Sequence, residues 1–190
     1  MQDFVMQLLQ EKLPASYYYH NHLHTLYVVE NAEKIGKREG VSAEEMQLLQ
    51  AAALWHDTGY INVYSGHEYE SCILARQYLP DYNFTQEQVE KICGMIMATM
   101  VPQDPHNKLE EILADADLAY LGTPEAPMIA AQLFLELQSL QPSLTEAEWN
   151  RNQLSFLRGH HFFTDYCQDH HEPKKQEYIR ALQKEADKKK

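Results

Sequence analysis

Residues 51–60 read AAALWHDTGY. The run Ala51–Trp55 has the composition of a helix buried on every side, yet it ends in a histidine and an aspartate, followed by Thr58 and Gly59. A charged carboxylate at the buried end of an apolar helix is costly unless it is paired or bound to a cation. For an isolated His-Asp doublet the ordinary reading is that Asp57 caps a turn and His56 is a satisfied core histidine. Whether the doublet is isolated depends on the rest of the chain.

Outward from this stretch, apolar positions recur at intervals of three and four residues, the period of an amphipathic helix. The short polar breaks carry helix-start signals: SAEE at 42–45, TQEQ at 85–88 and TEAE at 145–148 each read as a capping box. Gly40 and the prolines at 80, 102, 105, 124, 127, 142 and 173 punctuate the pattern, and no β-branched alternation is long enough for a strand. The spacing predicts an all-α fold with helices at 2–12, 21–38, 43–57, 67–79, 85–99, 107–120, 126–140, 145–163 and 173–187, and a loop at 121–128. With no repeat, no low-complexity stretch and no long linker, residues 1–190 are expected to form one domain.

Sixteen basic against 28 acidic residues give a formal charge of −12 and a pI near 5.2, which excludes a nucleic-acid polymer as the expected partner. The lysines of HEPKKQEY and EADKKK read as a solvated tail. Cys72, Cys93 and Cys167 are widely spaced without a CxxC pair, as expected of reduced, buried thiols. No basic, apolar leader and no run of about 18 apolar residues occurs, so the expected location is the cytoplasm, away from membranes.

Two further clusters surround the doublet. In YYYHNHLHTLY, residues 17–27, His20 and His24 are four apart and would share one helical face, with His22 pointing elsewhere and Asn21 and Tyr27 alongside. In EEILADADLAYLG, residues 110–122, Asp115 and Asp117 sit inside an apolar helix, a place carboxylates do not take for stability. Histidines, a His-Asp doublet and a further aspartate, all on helices, form a mixed nitrogen and oxygen set suited to iron, manganese, zinc, nickel or magnesium with positions open to water and substrate.

The succession of His24, then His56 and Asp57 in LWHDTGY, then Asp117 in LADADLAYLG resembles the HD superfamily of metal-dependent phosphohydrolases. The motif-bearing core covers roughly 17–122, and the helices at about 126–187 would complete a single HD-domain bundle and its pocket. The resemblance implies that His24, His56, Asp57 and Asp117 hold a divalent ion (Mn, Fe, Ni, Co, Zn or Mg), one or two per chain, with Asp57 able to bridge and Asp115 behind them. YHNHLH at 19–24 also resembles the YHNxxH signature of cyclic-nucleotide phosphodiesterases, whose first histidine protonates the leaving oxygen. This implies His20 as general acid and Asn21 as a substrate contact. His67 matches a position that in some members holds a second metal or touches substrate phosphate, and its other reading is a surface histidine opening a helix. Binuclear members carry a further histidine before a threonine at the end of the next helix. Here Ala98 precedes Thr99, so that nitrogen is missing unless the loop bearing His106 folds back.

Residues 149–172, WNRNQLSFLRGHHFFTDYCQDHHE, read first as a core helix through Trp149, Leu154, Phe156, Leu157, Phe162 and Phe163. They are also similar to the endings of small bacterial HD proteins, which implies a helix that closes the pocket and presents an Arg or Lys to phosphate. The expected activity is hydrolysis of a small phosphate ester, by preference a nucleotide, with Asp57 at the metal and His20 supplying a proton. A di-iron oxygenase and a nucleotide sensor without turnover are the alternatives. Monoester or diester, and monomer or homodimer, stay open.

Overall fold

The computed structural model describes residues 1–188. Its elements are α1 Gln2–Lys12, α2 His22–Glu39, α3 Ala43–Trp55, α4 His67–Tyr78, α5 Gln86–Ala98, α6 Lys108–Asp117, α7 Ala126–Leu140, α8 Glu146–Gly159, α9 Asp165–His170 and α10 Glu172–Lys188. Short 3-10 turns lie at Thr58–Ile61, Leu79–Tyr82 and Ala119–Gly122, and no strand occurs among the described residues. The last two lysines of the terminal run lie outside them. No helix among the described residues is long and apolar enough to cross a membrane.

The three capping boxes form. Ser42 accepts from the Glu45 amide while the Glu45 carboxylate accepts from the Ser42 amide, and Thr85 with Gln88 and Thr145 with Glu148 repeat the exchange. Each satisfies two of the amides that a helix start leaves unpaired. The helix expected at 21–38 begins one residue later because Asn21 is its cap, accepting from the amides of Leu23 and His24. The helix expected at 43–57 stops at Trp55, and that expected at 107–120 stops at Asp117; each passes into a 3-10 turn.

The largest difference lies at 145–163. α8 ends at Gly159, His160 turns extended, and Thr164 caps the separate short helix α9. Phe162 and Phe163 continue the apolar pattern through the break, so periodicity reads across it. What breaks the helix is tertiary: buried Asp115 on α6 accepts from the amides of Phe163 and Thr164 at 2.9 and 2.8 Å and from the Thr164 hydroxyl at 2.6 Å. Burial pushes the Asp115 carboxyl up, and these bonds return only part of the shift. Asp115, expected behind His24, His56, Asp57 and Asp117, has both carboxylate oxygens taken up by Phe163 and Thr164 and ties the C-terminal helices to the core.

α3 is the centre of the bundle, with Ala51–Trp55 all buried and α2, α5 and α6 packed around it. The alanines let these neighbours approach, while Val28, Ile35, Ile92, Ile96, Ile112 and Leu113 fill the spaces between. Full burial of each such aliphatic side chain contributes about 1.5–3 kcal/mol. Cys72, Cys93 and Cys167 are buried and unpaired.

Lys175 on α10 is fully buried, donating to the His160 carbonyl at 2.6 Å and to His160 Nδ1 at 3.0 Å, and pairing with Glu172 at 2.8 Å. Burial first and Lys175 second push the His160 imidazole down to about 3. An unfolded imidazole takes a proton near pH 6.5, roughly the free value. As the pH falls from there toward 3, the unfolded chain therefore gains a proton that the folded ring refuses, and stability drops. His160→Gln keeps an acceptor for Lys175 without this titration. Thermal melts at pH 7.5 and pH 5 should show a smaller loss of Tm on acidification in the variant than in the wild type; equal losses would remove His160 from the account.

Candidate metal centre

Four polar side chains meet where three packed helices end. The Asn21 cap fixes the first turn of α2 and with it His24. The apolar run of α3 drives that helix into the core, so the residues immediately after it, His56 and Asp57, arrive in the interior. Asp117 is the last residue of α6.

His24 Nε2 lies 3.0 Å from Asp117 Oδ1 and 3.4 Å from Asp57 Oδ2. His56 Nε2 lies 3.2 Å from Asp57 Oδ2 and 3.5 Å from Asp117 Oδ1. Ligands bonded at about 2.1 Å to one ion stand roughly 3.0–3.4 Å apart along octahedral or tetrahedral edges. The ligating atoms of His24, His56 and Asp117 lie within 4.8 Å of one another, and Asp57 adds a further oxygen. His56 Nδ1 donates to the Ala53 carbonyl at 2.8 Å, which leaves Nε2 as the lone-pair nitrogen turned to the cluster. His56 Nε2 and Asp57 Oδ2 are buried without a hydrogen-bond partner.

The charges agree with the geometry. Burial works against ionisation, but His56, His67 and His24 hold the Asp57 carboxyl well below its ordinary range, and the neighbouring His24 and His56 imidazoles hold Asp117 at about 2. Burial would lower His56, and the two carboxylates raise it well above the free imidazole range. The two carboxylates carry the charge that a divalent cation cancels, and the imidazole nitrogens beside them are ordinary ligands for such an ion. The donor set thus fits a divalent ion.

Gly59 places His67. A Cβ there would stand 2.0 Å from the His67 carbonyl oxygen, and the Gly59 amide donates to Ser71 Oγ at 2.8 Å, so the start of α4 rests directly on the 3-10 turn. His67 stacks on Tyr60 with ring centroids 3.8 Å apart, and its Nε2 lies 3.4 Å from Asp57 Oδ1. Asp57 therefore turns one oxygen to His24 and His56 and the other to His67. Ala98 offers no nitrogen, and His106 stays at the surface with its side chain 75% exposed.

His20 reaches the site by a route that the sequence spacing does not give. It precedes the Asn21 cap and so is not on α2. Buried Glu136 on α7 holds it: one carboxylate oxygen accepts from the amides of Tyr19 and His20 at 2.8 and 3.0 Å, and the other pairs with His20 Nδ1 and accepts from the Tyr64 hydroxyl at 3.0 Å. Burial alone would raise the Glu136 carboxyl, but the His20 bond and the two amides bring it below its usual range. His20 Nε2 faces the Tyr60 hydroxyl at 3.0 Å, and its ring centroid lies 6.1 Å from that of His24. The sequence reading overlooks Glu136, although a lone carboxylate in the apolar stretch APMIAAQLFLELQSL is the same signal that marks Asp117. Asn21 is not brought to the cavity. Its side chain is taken up in capping α2 and in donating to the Tyr18 carbonyl at 2.9 Å.

A cavity of about 690 Å³ opens over Asp57, Asp117, His20 and His67, and α8 closes its far wall with Trp149, Gln153 and Phe156. Arg151 and Arg158 are exposed, Arg158 bonding Gln183, and Lys175 points into the fold. α8 closes the pocket as expected, but it presents no Arg or Lys to it.

The sequence profile of the HD domain family matches residues 22–119. Two solved structures share the fold. One is a predicted HD superfamily hydrolase from an uncultured Thermotogales bacterium, 20% identical, aligned over 99% of this chain and 92% of that one with a TM-score of 0.66. The other is Bacillus subtilis YpgQ in complex with ADP, 16% identical, aligned over 97% of both chains with a TM-score of 0.62. No curated protein matches the sequence.

A ligand that binds only the folded state at a hundred times its Kd stabilises it by about 2.7 kcal/mol. Manganese, nickel or zinc should therefore raise the Tm of the wild type and leave that of Asp57→Ala and His56→Ala unmoved, and a chelator should reverse the gain. Equal gains in wild type and variants would place the ion elsewhere.

Proposed function

The chain belongs to the HD domain family, and from that premise we propose that it hydrolyses a small phosphate ester, by preference a nucleotide, at a divalent cation held by His24, His56, Asp57 and Asp117. The observation that carries the reading is the adjacency of two devices in one cavity: a converging nitrogen and oxygen set, and a histidine locked by a buried carboxylate. When bound, the cation supplies Lewis acidity toward a phosphoryl oxygen and lowers the pKa of water.

The chain's own groups do the rest. Glu136 accepts from the Nδ1 side of His20, so the ring is oriented with Nε2 turned toward the cavity. From Nε2 His20 delivers a proton to the leaving oxygen, which takes over the hydrogen-bonding position now held by the Tyr60 hydroxyl. Asp57 lines the cavity, where it would hold the cation and accept a hydrogen bond from the attacking water. Tyr60, stacked between the His20 and His67 rings, keeps the two imidazoles apart and fills the space between them.

Support for a nucleotide comes from YpgQ, a protein of the same fold whose structure holds ADP, and from the aromatic walls of the cavity. The acidic surface argues against a nucleic-acid polymer. Ala98 and the surface position of His106 argue against a di-iron oxygenase, and the buried, unpaired cysteines suit a reducing cytoplasm.

The test is release of phosphate or alcohol from a panel of nucleotides and sugar phosphates with Mn, Mg, Co, Ni or Fe(II). His20→Ala should bind metal as the wild type does and lose about 10²–10⁴-fold in turnover, the usual contribution of a general acid. Glu136→Gln should also keep its metal and lose turnover by a smaller factor. Normal turnover by His20→Ala would refute the assignment of the acid.

A further inference from the structure

The cavity has a composition at odds with a highly charged ligand. Asp57, Asp117 and Glu68 line it, Glu136 stands behind His20, and no lysine or arginine lines it at all. A divalent cation offsets Asp57 and Asp117 and leaves one phosphoryl group to be held against it. Each additional phosphate brings about one to two further negative charges and needs the guanidinium or ammonium partners that phosphate sites ordinarily supply.

The wall away from the metal ligands is of a different kind. Along α8, Trp149 and Phe156 offer aromatic faces, and Asn152 and Gln153 offer uncharged amides. Trp149 is braced by stacking on Phe134 at 5.8 Å. The Gln153 amide nitrogen donates one of its two hydrogens to the Tyr178 hydroxyl at 2.9 Å, so this buried side chain keeps its carbonyl oxygen as an acceptor and one N–H as a donor for a ligand. The volume of about 690 Å³ falls within the roughly 300–1,000 Å³ of pockets that take an organic ligand rather than a bare ion.

We propose that the substrate carries a single phosphoryl group on an uncharged alcohol whose planar, hydrogen-bonding ring lies along α8 between Trp149 and Phe156, and that di- and triphosphates are rejected on charge. This rests on the phosphohydrolase reading above for the position of the phosphoryl group. It sets the chain apart from its fold-mate, whose structure holds a diphosphate.

Calorimetric titration of manganese-loaded His20→Ala protein, which keeps its metal on the reading above but turns ester over slowly, with adenosine mono-, di- and triphosphate, manganese kept in excess, tests it without relying on turnover. The monophosphate should bind at least tenfold more tightly than the other two. Trp149→Ala and Phe156→Ala should each weaken the monophosphate about tenfold while leaving inorganic phosphate unaffected, and Asn152→Arg should narrow the gap to the diphosphate. Di- or triphosphate binding as tightly as the monophosphate, no binding of any of the three, or indifference to the α8 substitutions would each overturn the proposal. The expected binding order without hydrolysis of any ester by the wild type would instead overturn the phosphohydrolase reading and leave the recognition intact.

Discussion

The structure depends on a cost. Two carboxylates and two imidazoles are brought together, mostly buried, with His56 Nε2 and Asp57 Oδ2 given no hydrogen-bond partner. Left alone, such a group is destabilising, because each ion loses its hydration and the two carboxylates repel. A proton on His56 offsets part of that cost, and a divalent cation offsets it more fully. The bundle is arranged to make the meeting unavoidable. α3 is too apolar to end anywhere but inside, and α2 and α6 pack against it so that His24 and Asp117 arrive beside its last turn.

Much of this was legible in the sequence, because the signals involved are local. Capping boxes are set by residues three apart, helix faces by residues three and four apart, and Ala51–Trp55 advertises its burial by composition. The misplaced carboxylates of Asp57 and Asp117 were readable for the same reason, as acids in apolar helices. What failed was decided by contacts distant in sequence. The break at His160 follows from Asp115, 48 and 49 residues before the amides it captures. His20 sits beside His24 because Glu136, 116 residues away, grips its backbone and its ring, and not because of a helical turn. Asn21 has the residue type of a ligand contact and the work of a cap.

The two halves of the chain divide the labour. The part matched by the family profile, residues 22–119, contributes His24, His56, Asp57 and Asp117, whereas Glu136 and the α8 wall lie beyond it. The His-Asp cluster therefore lies within the family-matched part, and the orientation of His20 and the character of the pocket are what the following helices add. Asp115 links the two: it lies two residues before Asp117 on α6, pointing to nearly the opposite side of the helix, and anchors the segment that leads from α8 to α9.

The most direct measurement of the central claim is the anomalous scattering of manganese in crystals of the protein grown with the ion. The account predicts one strong peak at about 2.0–2.3 Å from His24 Nε2, His56 Nε2, an Asp57 oxygen and an Asp117 oxygen. A crystal saturated with manganese that shows no peak among these four atoms would contradict it, and would leave the buried carboxylates to be explained by protons alone.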